Sequence, residues 1–247
     1  MQWWPNALAP LLRTSLFSII FSSLCKLSYF WRASWWVHLA SKFITCNLAN
    51  FFCIQLRHLQ YIHSRNFIHR DLKPSNIVTG VGKHANLVYI IDFGLSKQFR
   101  DPNTRRHIPY NTSRGFTGTA DFASVNSHRG SELGRRDDLE SLAYILIYFI
   151  HGSLPWQGMG QNIHAVKQGI TSHHMFKELP AEFLIFLQHC RSLAFDDKPN
   201  YDYYLNLFNN LLPEGLQSNP TFDWISSDEW RCAVQGMYYV LAHSLAC

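Results

Sequence analysis

The chain has 247 residues, 15% of them aromatic, and a formal net charge of +5. Its composition is that of a globular protein with one large or two small domains, and it contains neither internal repeats nor a low-complexity linker. All of the excess charge lies in residues 1–70, which hold seven Lys or Arg and no Asp or Glu, whereas the rest holds fifteen basic and seventeen acidic residues; nucleic acid is therefore not an expected partner of the main body.

Residues 1–46 are rich in tryptophan and serine and contain no acid and no glycine. Their longest uncharged stretch, 14–25, has twelve residues, below the roughly 20 that a spanning helix needs. Arg13 ahead of L-F-S-I-I-F resembles the start of a signal peptide, but no clean small-x-small cleavage site follows. One reading of the composition is a basic, aromatic segment in contact with a membrane surface. The preferred reading is a stretch not selected as a domain, such as a misassigned exon or a shifted frame, and not expected to fold natively.

From 47 to 63 the pattern changes. Leu48, Phe51, Phe52, Leu56, Leu59 and Ile62 recur at helical spacing and predict an amphipathic helix. A β-hairpin is expected from 76–78 and 87–91 around the turn at 79–83, followed by a long aperiodic loop over 95–126. The run from 138 to 150 is apolar on every face after its first turn, which predicts a buried central helix ended by Gly152 and Pro155. Two amphipathic helices follow at 181–193 and 201–211, then a tail over 225–247 with a candidate helix at 229–245. The six cysteines form no C-x-x-C pair and have no histidine at zinc-ligand spacing, so free thiols in a reducing compartment are expected.

The chemistry-bearing stretch is I-H-R-D-L-K-P-S-N at 68–76, followed by I-I-D-F-G at 90–94. Phosphoryl transfer needs a carboxylate to accept the proton of the attacking hydroxyl, positive charge near the transferring group, and oxygen ligands for a metal. Asp71 suits the first role and Lys73 the second, and Asn76 with Asp92 suits the third. Singly, each has a plain structural reading as a turn or cap residue, but all four stand in register with Asp92 21 positions after Asp71. Thr119 is placed to hydrogen-bond Asp71 and Lys73 if its loop folds back. His69 and Phe93 are expected to pack rather than react, with Arg70 and Gly94 supporting the site. Asp138 is expected either to accept hydrogen bonds from the catalytic-loop backbone or to cap its helix.

These motifs, with H-I-P-Y, T-G-T-A, S-V-N-S-H, R-R-D-D-L-E-S-L, G-S-L-P-W-Q-G, C-R-S-L-A-F-D-D-K-P-N-Y and F-D-W, resemble the casein kinase I family of serine/threonine protein kinases over 61–224. Ser124-Val125-Asn126 fills the place of the family's S-I-N, where most kinases have A-P-E. The resemblance implies a mainly α fold with a small β component, a kinase-like C-terminal lobe over 47–224. It also implies ATP and Mg2+ as cofactors, protein substrates phosphorylated on Ser or Thr, and a cytoplasmic location, with the nucleus as the alternative.

The chain departs from that family at two points near the substrate and at one upstream. Asp121 stands where the family has an arginine after T-G-T-A, and 159–162 reads M-G-Q-N where the family is lysine-rich, so selectivity for already phosphorylated substrates is expected to be lost. No glycine precedes Gly80 and no acid precedes Asp71, so a Gly-rich loop and a Lys–Glu pair of an N-terminal β lobe are not recognisable. The sequence as written therefore reads as an incomplete kinase without most of its nucleotide-binding roof, expected to have little or no activity by itself. The competing reading is a catalytically inactive lobe that binds proteins or membranes.

Overall fold

The computed structural model describes residues 34–84, 87–169, 176 and 179–212, with side chains from residue 48 onward. About half of these residues are helical and the strands are few and short. The tail over 225–247, its candidate helix and residues 1–33 lie outside the described residues.

Helix α1 spans Ser34–Ser64, so it begins well upstream of the start expected near 47. Neither glycine nor proline interrupts 34–64, and nothing in the local sequence stops a helix there. Its stripe of Leu48, Phe51, Phe52, Leu56 and Leu59 is buried. After Ser64 the chain turns through Asn66, whose φ of 70° is the left-handed value common just past a helix end. It then enters β1, Phe67–Ile68, which pairs antiparallel with β4, Lys97–Gln98. Two-residue strands are too short to show alternation, which is why this pair was not legible in the loop expected at 95–126. The expected hairpin is formed by β2, Ile77–Thr79, and β3, Val88–Ile90, in the register Ile77↔Ile90.

A single turn of helix, α2 (Val125–His128), precedes the long α3 (Arg135–His151). Thirteen of the seventeen α3 residues are buried, as expected of a central strut. Gly152 closes it at φ 73°, with its N–H on Tyr148 O at 2.8 Å. The short α4 (Ile163–Gly169) follows, then α5 (Ala181–Ser192) and α6 (Tyr201–Asn209).

The core between α1, α3, α5 and α6 is an aromatic lattice. Phe52 stacks on Phe208 at 3.8 Å between centroids and meets the edge of Phe186 at 4.7 Å, while Phe51 meets Phe149 at 5.4 Å. Each such ring contributes about 1.5–3 kcal/mol by burial. The result is a helical base against which β1 and the β2–β3 hairpin lie, with α1 touching both β1 and β3.

Candidate active site

The turn after β1 is held by one carboxylate. Asp138, in the first turn of α3, accepts from His69 N at 2.8 Å and Arg70 N at 2.9 Å, and from His63 Nε2 at 2.8 Å. None of these donors belongs to its own helix, so Asp138 ties the loop down rather than capping α3. Burial alone would raise its pKa; hydrogen bonding to His63 and that residue's charge reverse the direction and hold it below the usual carboxylate value. His63 is in turn fixed by Tyr201 Oη at 2.5 Å from Nδ1, which links the loop to α6.

With its own amide and that of His69 committed to Asp138, Arg70 takes φ 70° and swings the next residue around. His69 is fully buried. Its Nδ1 accepts from Asp71 N at 3.3 Å, so Nε2 is the donor to Ile91 O at 3.1 Å. One imidazole therefore joins the H-R-D turn to the D-F-G turn. Phe93 lies against it at 5.0 Å between ring centroids but is 46% exposed, so it packs on one side only. The Arg70 side chain reaches across to Leu95 O, with Nε at 2.6 Å.

Asp71 is 8% exposed and held from two directions. Lys73 Nζ lies 2.9 Å from Oδ2, Thr119 Oγ1 donates to Oδ1 at 2.7 Å, and Lys73 also donates to Thr119 at 3.2 Å. Thr119 thus comes back onto the loop from 46 positions further along than Lys73. Burial pushes the Asp71 carboxyl up, but the hydrogen bonds from Lys73 and Thr119, with the lysine charge, bring it below the ordinary value. Gly118 is required for this approach: its φ is 98°, and a Cβ there would stand 2.7 Å from Arg70 O.

Asn76 and Asp92 flank the open end of the β2–β3 hairpin, where Ile91 N donates to Asn76 O at 2.9 Å. Asn76 Nδ2 is committed to Asp71 O at 2.9 Å, which leaves Oδ1 as the atom available to a cation. Asp92 is exposed, in the left-handed region at φ 64°, with Oδ1 accepting from Gly94 N at 3.3 Å. An amide oxygen and a carboxylate are hard donors that fit Mg2+, an ion usually bound through one or two protein carboxylates, waters and phosphates. Among the described residues there is no cluster of three His, Cys, Asp or Glu that could hold a metal by itself. Nor is any described helix long and apolar enough to cross a membrane.

Several residues that position this site carried no individual signal in the sequence. Asp137 accepts from Ser124 Oγ at 2.7 Å, Asn126 Nδ2 at 3.0 Å and Gly134 N at 2.7 Å; burial pushes it up to about 6. Glu132, almost fully buried, is approached by Lys97 at 2.6 Å and Arg114 at 2.7 Å. Glu140 is paired with Arg191 at 3.1 Å. Lys167 is buried beneath Ala120 and Ala123, and burial draws it down to about 7; burial likewise draws neighbouring His128 down to about 4. Only their distance partners, invisible in one dimension, distinguish these groups from surface charges.

The helical base thus carries a lysine-paired carboxylate, Asp71, with Asn76 hydrogen-bonded to its main-chain carbonyl. A model of the protein kinase domain family matches residues 26–221, most of the chain, and the chain belongs to that family.

Proposed function

We propose that this chain is a serine/threonine protein kinase of the casein kinase I type. The observation that carries the reading is the Asp71 carboxylate, fixed by Lys73 and Thr119, with the Asn76 amide hydrogen-bonded to the Asp71 main-chain carbonyl. Its support for the subfamily is the use made of Ser124 and Asn126, both of which bind Asp137 in the place where most kinases carry A-P-E. ATP with Mg2+ is the family's phosphoryl source, and when bound it supplies the γ-phosphoryl group and the charge that offsets its oxygens.

The chain's own residues then act as follows. Asp71 orients the acceptor hydroxyl and takes its proton as the oxygen–phosphorus bond forms and the β–γ bridging bond breaks. Lys73, already beside that carboxylate, places positive charge where the transferring group becomes exposed. Asn76 Oδ1 and Asp92 are the atoms that would hold the metal. We further propose a cytoplasmic or nuclear location, consistent with Cys53 and Cys190 as buried free thiols.

Asp121 lies in the turn after Thr119, with Gln157 Nε2 3.4 Å from its carboxylate. A carboxylate there repels a phosphorylated acceptor sequence, so primed and unprimed peptides are expected to react at equal rates.

The test is transfer of labelled phosphoryl from Mg2+–ATP to a Ser/Thr peptide and its phospho-primed counterpart. Asp71→Asn is expected to lower the rate by about 10²–10⁴-fold, and Asp92→Asn to lower it comparably. Undiminished transfer by Asp71→Asn would remove Asp71 as the base. A strong preference for the primed peptide would overturn the role given to Asp121. No transfer by wild type, together with retained peptide binding, would favour the binding-module reading.

A further inference from the structure

Lys167 has no exposed surface. Its ammonium donates to Ala120 O at 2.7 Å and Ala123 O at 2.6 Å, and lies 3.4 Å from His128 Nε2. The ring centroids of Tyr144 and Trp156 stand 4.7 and 5.1 Å from it. Enclosing an ammonium costs several kcal/mol unless hydrogen bonds and nearby negative charge or π faces compensate it. Here the compensation comes from two main-chain carbonyls of one turn and two aromatic faces of the helical base.

The turn it grips is the one that carries Thr119. Phe122 N and Ala123 N both donate to Thr119 O, at 3.0 and 2.8 Å, and Trp156 Nε1 donates to Asp121 O at 2.7 Å. Three carbonyls of this turn, at 120, 121 and 123, are thus bound by Lys167 and Trp156, while the Thr119 hydroxyl donates to Asp71. Lys167 itself is held in place: its own carbonyl accepts from Arg191 Nη2 at 2.9 Å, and Arg191 is ion-paired with buried Glu140.

We propose that Lys167 is a positioning residue that fastens the 120–123 turn to the helical base and so keeps the Thr119 hydroxyl on Asp71 and Lys73. Its catalytic consequence rests on Asp71 being the base, as proposed above; the mechanical part does not. The clamp acts at a distance from the reacting atoms, so its loss loosens one turn rather than the lobe.

Lys167→Met keeps the aliphatic stem and removes the ammonium. Amide hydrogen exchange is then read at Phe122 and Ala123 and, as the reference, along α3. The expected result is about tenfold or faster exchange at Phe122 and Ala123, with α3 within about twofold of wild type, and Lys167→Arg recovering most of the lost protection. Equal acceleration in the turn and in α3, or none in either, would overturn the proposal. Should Lys167→Met fail to fold, Lys167→Gln, which retains a shorter donor, takes its place in the same measurement. In phosphoryl transfer the Met variant is expected to lose about tenfold in kcat with KM for ATP unchanged, again recovered by Arg. If wild type transfers nothing, that result counts against the proposed transfer activity, and the exchange data still decide the clamp.

Discussion

Asp137 and Asp138 are neighbours on α3, both enclosed, yet they hold two different stretches of chain by different physics. Asp138 grips the turn after β1 through the amides of His69 and Arg70 and is paired with the His63 imidazole. Asp137 grips the end of the long loop through Ser124, Asn126 and Gly134, all neutral donors, with the charge of Glu140 nearby. Burial drives both pKa values upward, but only Asp138 has hydrogen bonding and charge enough to reverse it; Asp137 stays raised at about 6. The lesson is that equal burial of one residue type leaves even the direction of its shift to be set by its donors.

The largest effect expected from breaking this arrangement is at Asp138. Asp138→Ala strands two backbone amides and the His63 ring in the interior, at a cost of about 3–5 kcal/mol in unfolding free energy. Urea unfolding at neutral pH measures it. An equal loss from Asp137→Ala would erase the distinction between the two tethers.

The second test uses pH. A carboxyl whose folded pKa is about 6 and whose ordinary value is 3.8 binds more protons in the folded state between those limits. Its contribution is therefore fully present below pH 3.8 and is lost as pH rises towards 6, by an amount on the order of 2–3 kcal/mol. Asp138, depressed in the fold, behaves oppositely: its contribution is lost only as pH falls below the ordinary range. Asp137→Asn should flatten the slope between pH 4 and 6 in a series of urea midpoints, while Asp138→Asn should leave that slope in place. An unchanged slope in Asp137→Asn would assign it to another group.

Much of this architecture was legible in one dimension because it is repetitive. The apolar stripe of Leu48 to Leu59 and the all-round apolar run of α3 are periodic signals, and they located two of the packing helices. The motifs brought Asp71, Lys73, Asn76 and Asp92 forward as a set, and the expected return of Thr119 onto the Asp71 carboxylate is what the fold shows. The residues that were missed act over long sequence separations. Nothing near Lys167 predicts that it meets carbonyls 44 and 47 positions earlier, and nothing near Asp137 predicts that it binds Ser124 and Asn126. The upstream extension of α1 has another character: its acid-free aromatic composition does not by itself mark a helix, yet no glycine or proline interrupts 34–47.

The smallest effect sharpens the comparison most. Ser124 serves two partners at once: its hydroxyl donates to Asp137 Oδ1 at 2.7 Å and accepts from Ser127 N at 3.1 Å, capping α2. Ser124→Ala removes the cap, worth about 1 kcal/mol. It also withdraws one of the three donors that lower the Asp137 pKa, so that pKa should climb above about 6 and the pH window of falling stability should extend upward with it. The Asp138 side shares no donor with Ser124, so exchange at the His69 and Arg70 amides should not change. Acceleration there would show that the two carboxylates act as one tether, and a pH window that moved downward would show that charge, rather than hydrogen bonding from Ser124, sets the state of Asp137.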